Sequence, residues 1–277
     1  MLGIETISSG RMGNRLFHYH FFHQLIRVTN IAYFQPQFPE NKYFYNMAKK
    51  LKPVFPLRQS LYFTSQEILR YHPKQFISFV IKESINNKNT IIQPPILGEV
   101  FFDYLFCSPS EIIRIKDEYM HSFSFNTTDK IIIGLHFRGT DFQSWNEKAA
   151  LKFPYYQKAV LYCLNYFKPK QIVFALYTDD DNYPAFVKTI DYFKDKKIEF
   201  YLSDKNIEPI YDFYQMTQCD VLISSPSTFA IFAGCLGKKK KIIHSKKWLE
   251  YSVQRNDIFW LKLLQTKNSY YSLWKSF

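Results

Sequence analysis

The pattern of apolar positions divides this chain into a regular second half and an irregular first half. From residue 130 onward, short apolar runs alternate with stretches of helical period. Strands are predicted over 130–137, 171–178, 198–202, 221–224 and 241–244, the last of these being the final strand. Helices are predicted between them, over 154–167, 184–193, 208–219 and 228–236. Pro184 falls in a first turn, where its missing N–H costs nothing. Regular alternation of this kind implies a parallel sheet with right-handed crossovers.

The first half opens with a strand over 2–7 and the loop Ser8-Ser9-Gly10-Arg11-Met12-Gly13-Asn14. A helix over 15–29 follows, with Phe17, Phe21, Leu25 and Val28 on one face, then a strand over 31–34. Together they make a βαβ unit. Its glycine loop reads either as a tight turn or as a place where backbone N–H groups approach an anion. Beyond it, Pro36, Pro39, Pro53, Pro56, Pro73, Pro94 and Pro95 punctuate short aromatic segments. A helix is predicted over 65–71 with Ser65 as its cap, and another from Ser108 or Ser110 through about 119. The polar, aperiodic run 122–129 marks a domain boundary. The fold class is α/β with two Rossmann-like domains, 1–128 and 129–277, the last helix packing back on the first domain.

Composition narrows the function classes. At 47% hydrophobic residues the chain can bury a real core. A formal charge of +12, from 36 basic and 24 acidic residues, favours anionic partners. The basic residues are dispersed and show no stacking motif, so nucleic acid is not expected as a partner. Cys107, Cys163, Cys219 and Cys235 are far apart, which fits reduced thiols in a cytoplasmic protein. No signal peptide and no spanning run of apolar residues is evident. Peripheral association with an anionic membrane surface, at its inner face, is compatible with the charge.

Polar residues collect where the second-half strands end: His136, Arg138 and Asp141; Thr178, Asp179, Asp180 and Asp181; Ser224, Ser225, Ser227 and Thr228. Ligands of open α/β sheets bind beyond the carboxyl ends of the strands. A guanidinium there suits a phosphate, because it holds two oxygens at once. Ser227 and Thr228 read equally as helix caps and as phosphate ligands. The aspartate run could bind a divalent cation or complement a helix N-terminus. The second is expected, with no metal and no cofactor, since an arginine can neutralise a diphosphate.

These residues also carry a resemblance. Gly10-Arg11-Met12-Gly13-Asn14-Arg15-Leu16-Phe17, His136-Phe137-Arg138-Gly139-Thr140-Asp141, Tyr155-Tyr156-Gln157-Lys158-Ala159, Tyr177-Thr178-Asp179-Asp180, Asp212-Phe213-Tyr214-Gln215-Met216 and Ser227-Thr228-Phe229 follow in an order similar to that of the inverting α-1,2-fucosyltransferases. That family is related to the α-1,6- and protein O-fucosyltransferases. The resemblance implies a GT-B-type glycosyltransferase that moves fucose from GDP-fucose to a hydroxyl of an oligosaccharide or lipid-linked glycan acceptor. The resemblance implies α-1,2 linkage in surface polysaccharide synthesis; the alternative is another fucose linkage or nucleotide-sugar. Residues 1–128 would take the acceptor side and 129–277 the donor.

Carried onto matching positions, the resemblance has Arg138 hold the β-phosphate, with His136 near the nucleoside. Asp179 also falls at the donor, Asp212 contacts guanine, Ser227 and Thr228 bind the diphosphate, and Gly13 and Asn14 approach from the first domain. Asp141 is the expected general base, or else an acid that pins Arg138. The signature's second arginine is Gly139 here, so one charge partner is either missing or supplied from elsewhere, Arg11 and Arg15 being the candidates.

Overall fold

The computed structural model describes residues 2–4, 11–29, 33–34, 39–45, 61–63, 78, 82, 90–92, 109–121, 123, 128–140, 150–168, 170–204, 208–237, 241–245 and 274–276. The chain forms two compact units, Met1–Lys116 and Asp117–Phe277. The polar run 122–129 thus falls inside the start of the second unit.

In the first unit, β1 (Leu2–Ile4), β2 (Tyr33–Phe34), β3 (Leu61–Phe63) and β4 (Thr90–Ile92) form a parallel sheet in the order β2-β1-β4-β3. Helix α1 (Met12–Thr29) links β1 to β2 and begins three residues earlier than its apolar period predicts. Leu16, Tyr19, His20 and Phe22 are fully buried on it. The predicted face of Phe17, Phe21, Leu25 and Val28 lies outside the described side chains, as does the helix predicted over 65–71.

One prediction is corrected here. The helix expected from Ser108 or Ser110 to about 119 lasts a single turn, α2 (Pro109–Ile112). Ile113 and Ile115 then bury themselves while Arg114 stays exposed, which is a strand's period of two. Ile115 bridges Phe44 in antiparallel fashion, with Tyr45 N donating to Arg114 O at 3.0 Å.

The second unit holds a parallel sheet of β5 (Lys130–Phe137), β6 (Gln171–Thr178), β7 (Phe200–Leu202), β8 (Val221–Ile223), β9 (Lys241–His244) and β10 (Trp274–Ser276). Their order is β10-β9-β8-β5-β6-β7. Strand β10 pairs parallel to β9 as an edge strand of this sheet, one strand beyond the one expected to be final, and the expected last helix lies outside the described residues. Strands β5 and β6 run paired over eight residues and are buried nearly throughout, because helices cover both faces. Helices α3 (Phe153–Tyr166) and α4 (Pro184–Asp195) cover one face. Ile133, Leu135, Phe137, Phe174 and Leu176 meet them there.

Helices α5 (Pro209–Gln218) and α6 (Thr228–Leu236) follow on the opposite side, as right-handed crossovers require. Gly134 makes room for the end of α5 and for β8: a Cβ there would lie 2.9 Å from Cys219 Sγ and 3.1 Å from Leu222. Cys163, Cys219 and Cys235 are free thiols. No described helix is long and apolar enough to cross a membrane.

Candidate functional site at the β5–β8 switch point

Strand order dictates where a ligand can sit. The chain passes from β5 outward to β6 and β7, then returns to lay β8 on the other side of β5. Loops leaving β5 and β8 therefore diverge, and a crevice opens between their carboxyl ends. Arg138 follows β5 there, and Ser224, Ser225 and Ser227 follow β8.

Arg138 is held from the neighbouring strand. Asp179, just past the end of β6, accepts from Gly139 N at 2.8 Å and from the Thr140 hydroxyl at 2.8 Å. Its other contacts are Thr140 N at 3.4 Å and an ion pair to Arg138 Nε at 3.3 Å. Burial pushes the Asp179 carboxyl up, but the Gly139 amide, the Thr140 hydroxyl and the Arg138 charge outweigh it and hold it below the usual range. Predicted as a donor contact, Asp179 thus spends both oxygens on the 138–140 loop. The Arg138 side chain is 12% exposed, so its charge acts where water screens it little.

Gly139 is buried beneath the next turn. A Cβ there would stand 2.8 Å from Asp180 Cβ and 2.9 Å from Tyr183 Cβ. The position where the resembled signature has its second arginine is therefore closed by packing. Asp180 in turn accepts from Asn182 N at 2.9 Å, and its carbonyl accepts from Tyr183 N at 3.2 Å. Asp179 and Asp180 thus serve the loop and the turn. Among the described residues, no group of three or more His, Cys, Asp or Glu gathers as a metal would require.

Alternation along β5 turns Phe137 toward α3, where it stacks on Tyr156 at 4.2 Å, and His136 toward α6, 6.0 Å from the Phe229 ring. His136 Nδ1 lies 2.7 Å from Ser225 Oγ, and Ser225 N donates to the His136 carbonyl at 3.2 Å. Tyr156 OH donates to the same carbonyl at 3.3 Å. Burial drives the imidazole down to about 3, against the pull of Asp179 and with the help of Arg138. His136 is therefore neutral at physiological pH and brings a hydrogen-bonding edge to the crevice without a charge.

Helix α6 starts directly above the β8 end. Ser227 occupies its N-cap position in extended conformation yet makes no side-chain cap bond. Of the two readings of this serine, capping is absent. Thr228 is the first helical residue, so the positive end of α6 faces the crevice. Asp212, in the first turn of α5, accepts from the Ser203 hydroxyl beyond β7. Phe213 beside it packs edge-on against Phe229 at 5.2 Å. The second unit thus brings Arg138, Asp179, His136, Ser227 and Thr228 to one edge of its sheet, with Asp212 further along that edge.

Gly13 and Asn14 lie in the first turn of α1, in the first unit. Arg15 is committed within that unit: its Nε donates to Glu40 Oε2 at 2.7 Å and a second N–H reaches Oε1. Of the two candidates for the missing arginine, Arg15 is thereby matched by an acid, while Arg11 is exposed ahead of the helix. Asp141 lies outside the described residues. Sequence reasoning placed Ser225 in the polar set without singling it out, and it gave Thr140 no role. Only pairing partners across strands distinguish them.

No protein-family model matches the sequence, and no curated protein matches it. Solved structures do resemble the fold. A mutant of Arabidopsis thaliana FUT1 in complex with GDP is 14% identical, covering 87% of this chain and 70% of that one, with a TM-score of 0.53. POFUT1 in complex with GDP-fucose is 11% identical, covering 86% and 94%, with a TM-score of 0.50. NodZ fucosyltransferase from Bradyrhizobium is 14% identical over 87% and 94%, with a TM-score of 0.47. The chain has the α/β fold of the GT-B-type FUT1 and POFUT1 structures, with a parallel sheet in each of two units.

Proposed function

We propose that the chain is an inverting fucosyltransferase that moves L-fucose from GDP-fucose to a hydroxyl of a glycan acceptor. The observation that carries this reading is Arg138, delivered by β5 to the switch-point crevice and braced by Asp179 opposite the start of α6. That arrangement suits a diphosphate leaving group. Similarity in fold to proteins solved with GDP and GDP-fucose supports the choice of nucleotide.

In the proposed reaction the acceptor oxygen attacks the anomeric carbon, the bond to the β-phosphate breaks, and GDP leaves with the electron pair. Negative charge grows on the phosphate as the sugar becomes oxocarbenium-like. Arg138, the α6 N-terminus and the Ser227 and Thr228 hydroxyls stabilise that charge. One well-placed donor of this kind supplies on the order of 3–4 kcal/mol. His136 contributes hydrogen bonds to the nucleotide, Asp212 reads guanine, and Gly13 and Asn14 are proposed as further donor ligands. Asp141 is proposed as the base because of its place three residues after Arg138. The linkage is proposed as α-1,2, in surface polysaccharide synthesis at the inner face of the membrane.

The test is GDP release from GDP-fucose by the wild type and by Arg138→Ala, together with calorimetric titration of GDP, UDP and CDP. A loss of roughly 100-fold or more in GDP release is expected for the variant. Equal rates, or preference for UDP, would overturn the reading.

A further inference from the structure

A cavity of about 500 Å³ lies between the starts of α3 and α4, on the side of the 138–140 loop away from β8. Its walls are mostly apolar, with Leu151, Phe153, Pro184 and Ala185 among them. The Tyr183 ring closes it, with its hydroxyl donating to Leu151 O. Lys152 and Lys188 complete the lining. Both lysines are exposed, and neither ammonium has an acidic partner among the described residues. The two helices also point their N-termini here. Neither Lys152 nor Tyr183, their N-cap residues, makes a side-chain cap bond. An apolar chamber with two unpaired ammonium groups and two positive helix ends matches an anion only when that anion carries an apolar body.

We infer that this cavity binds an amphiphilic phosphate, its alkyl or aryl part among Leu151, Phe153, Pro184 and Ala185 and its head between Lys152 and Lys188. The site adjoins the proposed reaction centre through Gly139. Its absent side chain lets Tyr183 serve at once as cavity wall and as packing for the Arg138 loop. On the transferase reading, such a ligand would be the phosphorylated aglycone of a glycan acceptor or a phospholipid of the surface where that acceptor resides. The binding itself does not depend on that reading.

The probes are octyl phosphate, butyl phosphate, octanol and inorganic phosphate, each titrated calorimetrically without donor. Octyl phosphate is expected to bind, and butyl phosphate more weakly, by about fourfold per methylene removed. Octanol and inorganic phosphate should both bind at least tenfold more weakly than octyl phosphate. The double substitution Lys152→Glu and Lys188→Glu should cost octyl phosphate at least tenfold in affinity, with an unchanged circular dichroism spectrum. Cosedimentation with phosphatidylglycerol vesicles that the double variant loses would identify the source as a membrane headgroup. Octyl phosphate binding without cosedimentation would identify a phosphorylated acceptor. No binding of octyl phosphate, equal binding of octanol, or full binding by the double variant overturns the inference. GDP release by the wild type and Arg138→Ala is read separately, so failure here leaves the transferase reading standing.

Discussion

Ser225 fastens β8 to β5 twice, its hydroxyl 2.7 Å from His136 Nδ1 and its N–H donating to the His136 carbonyl at 3.2 Å. Both links lie just beyond the last ladder pair, Leu135 with Ile223, at the point where the two strands would otherwise part. The two strand ends are therefore tied at the crevice by this serine.

Ser225→Ala leaves the buried imidazole edge without its partner, which costs about 1–3 kcal/mol. The urea midpoint should fall accordingly, and GDP affinity should weaken as His136 loses its orientation. Unchanged values for both would mean that the serine does not hold the histidine.

Asp179→Asn keeps the shape but removes the charge that faces Arg138 at 3.3 Å. Turnover should fall by roughly tenfold or more as the arginine loses its aim, with a smaller change in KM for the acceptor. An equal rise in donor and acceptor KM with kcat intact would mark Asp179 as a direct ligand.

Acid should destabilise the second unit in a defined window. Burial holds His136 at about 3 and His244 at about 4 in the folded chain, although the Ser245 carbonyl favours the charged His244. Unfolded, each imidazole takes its proton near its ordinary value of about 6.5. Between those limits the unfolded state binds more protons, so stability falls as the pH drops below about 6.5. Asp179 acts in the same direction: its folded pKa is depressed, and its contribution disappears as the pH falls through that lower value. Urea midpoints from pH 7 to pH 4.5 should decline steadily, and His136→Asn should reduce the slope. A flat profile would contradict the buried neutral state.

Gly139→Ala tests why the signature's second arginine is absent. The new Cβ would meet Asp180 and Tyr183 at under 3 Å, against two residues fixed by the turn. Overpacking of this kind costs about 1–3 kcal/mol. Gly139→Arg should lose more, and should not raise GDP affinity. A stable Gly139→Arg protein with tighter GDP binding would show that the loop readily opens.

Chelation should leave GDP release unaltered, because the Asp179 carboxylate already serves Gly139, Thr140 and Arg138, and Asp180 caps its own turn. Loss of activity in EDTA, restored by magnesium or manganese, would require those carboxylates to be rebuilt around a metal.

The sequence by itself determined the β5–α6 succession, because apolar runs of eight residues such as 171–178 can be buried only in a sheet covered on both faces. It also determined that Arg138, the aspartates and the serines follow strand ends, since periodicity alone locates those ends. It misplaced 113–116, where a local alternation of isoleucines with basic residues was subordinate to a nearby helix signal. The terminal strand β10 was hidden because its pairing with β9 is a contact between distant segments. Tertiary structure alone decided that β8 returns beside β5, and hence that Ser225 meets His136 while Asp179 turns back to Arg138. Such choices depend on strand order and on which oxygen faces which donor. A linear pattern carries the types of these groups but not the distances between them, so the bracing of Arg138 by Asp179 is legible only in the tertiary structure.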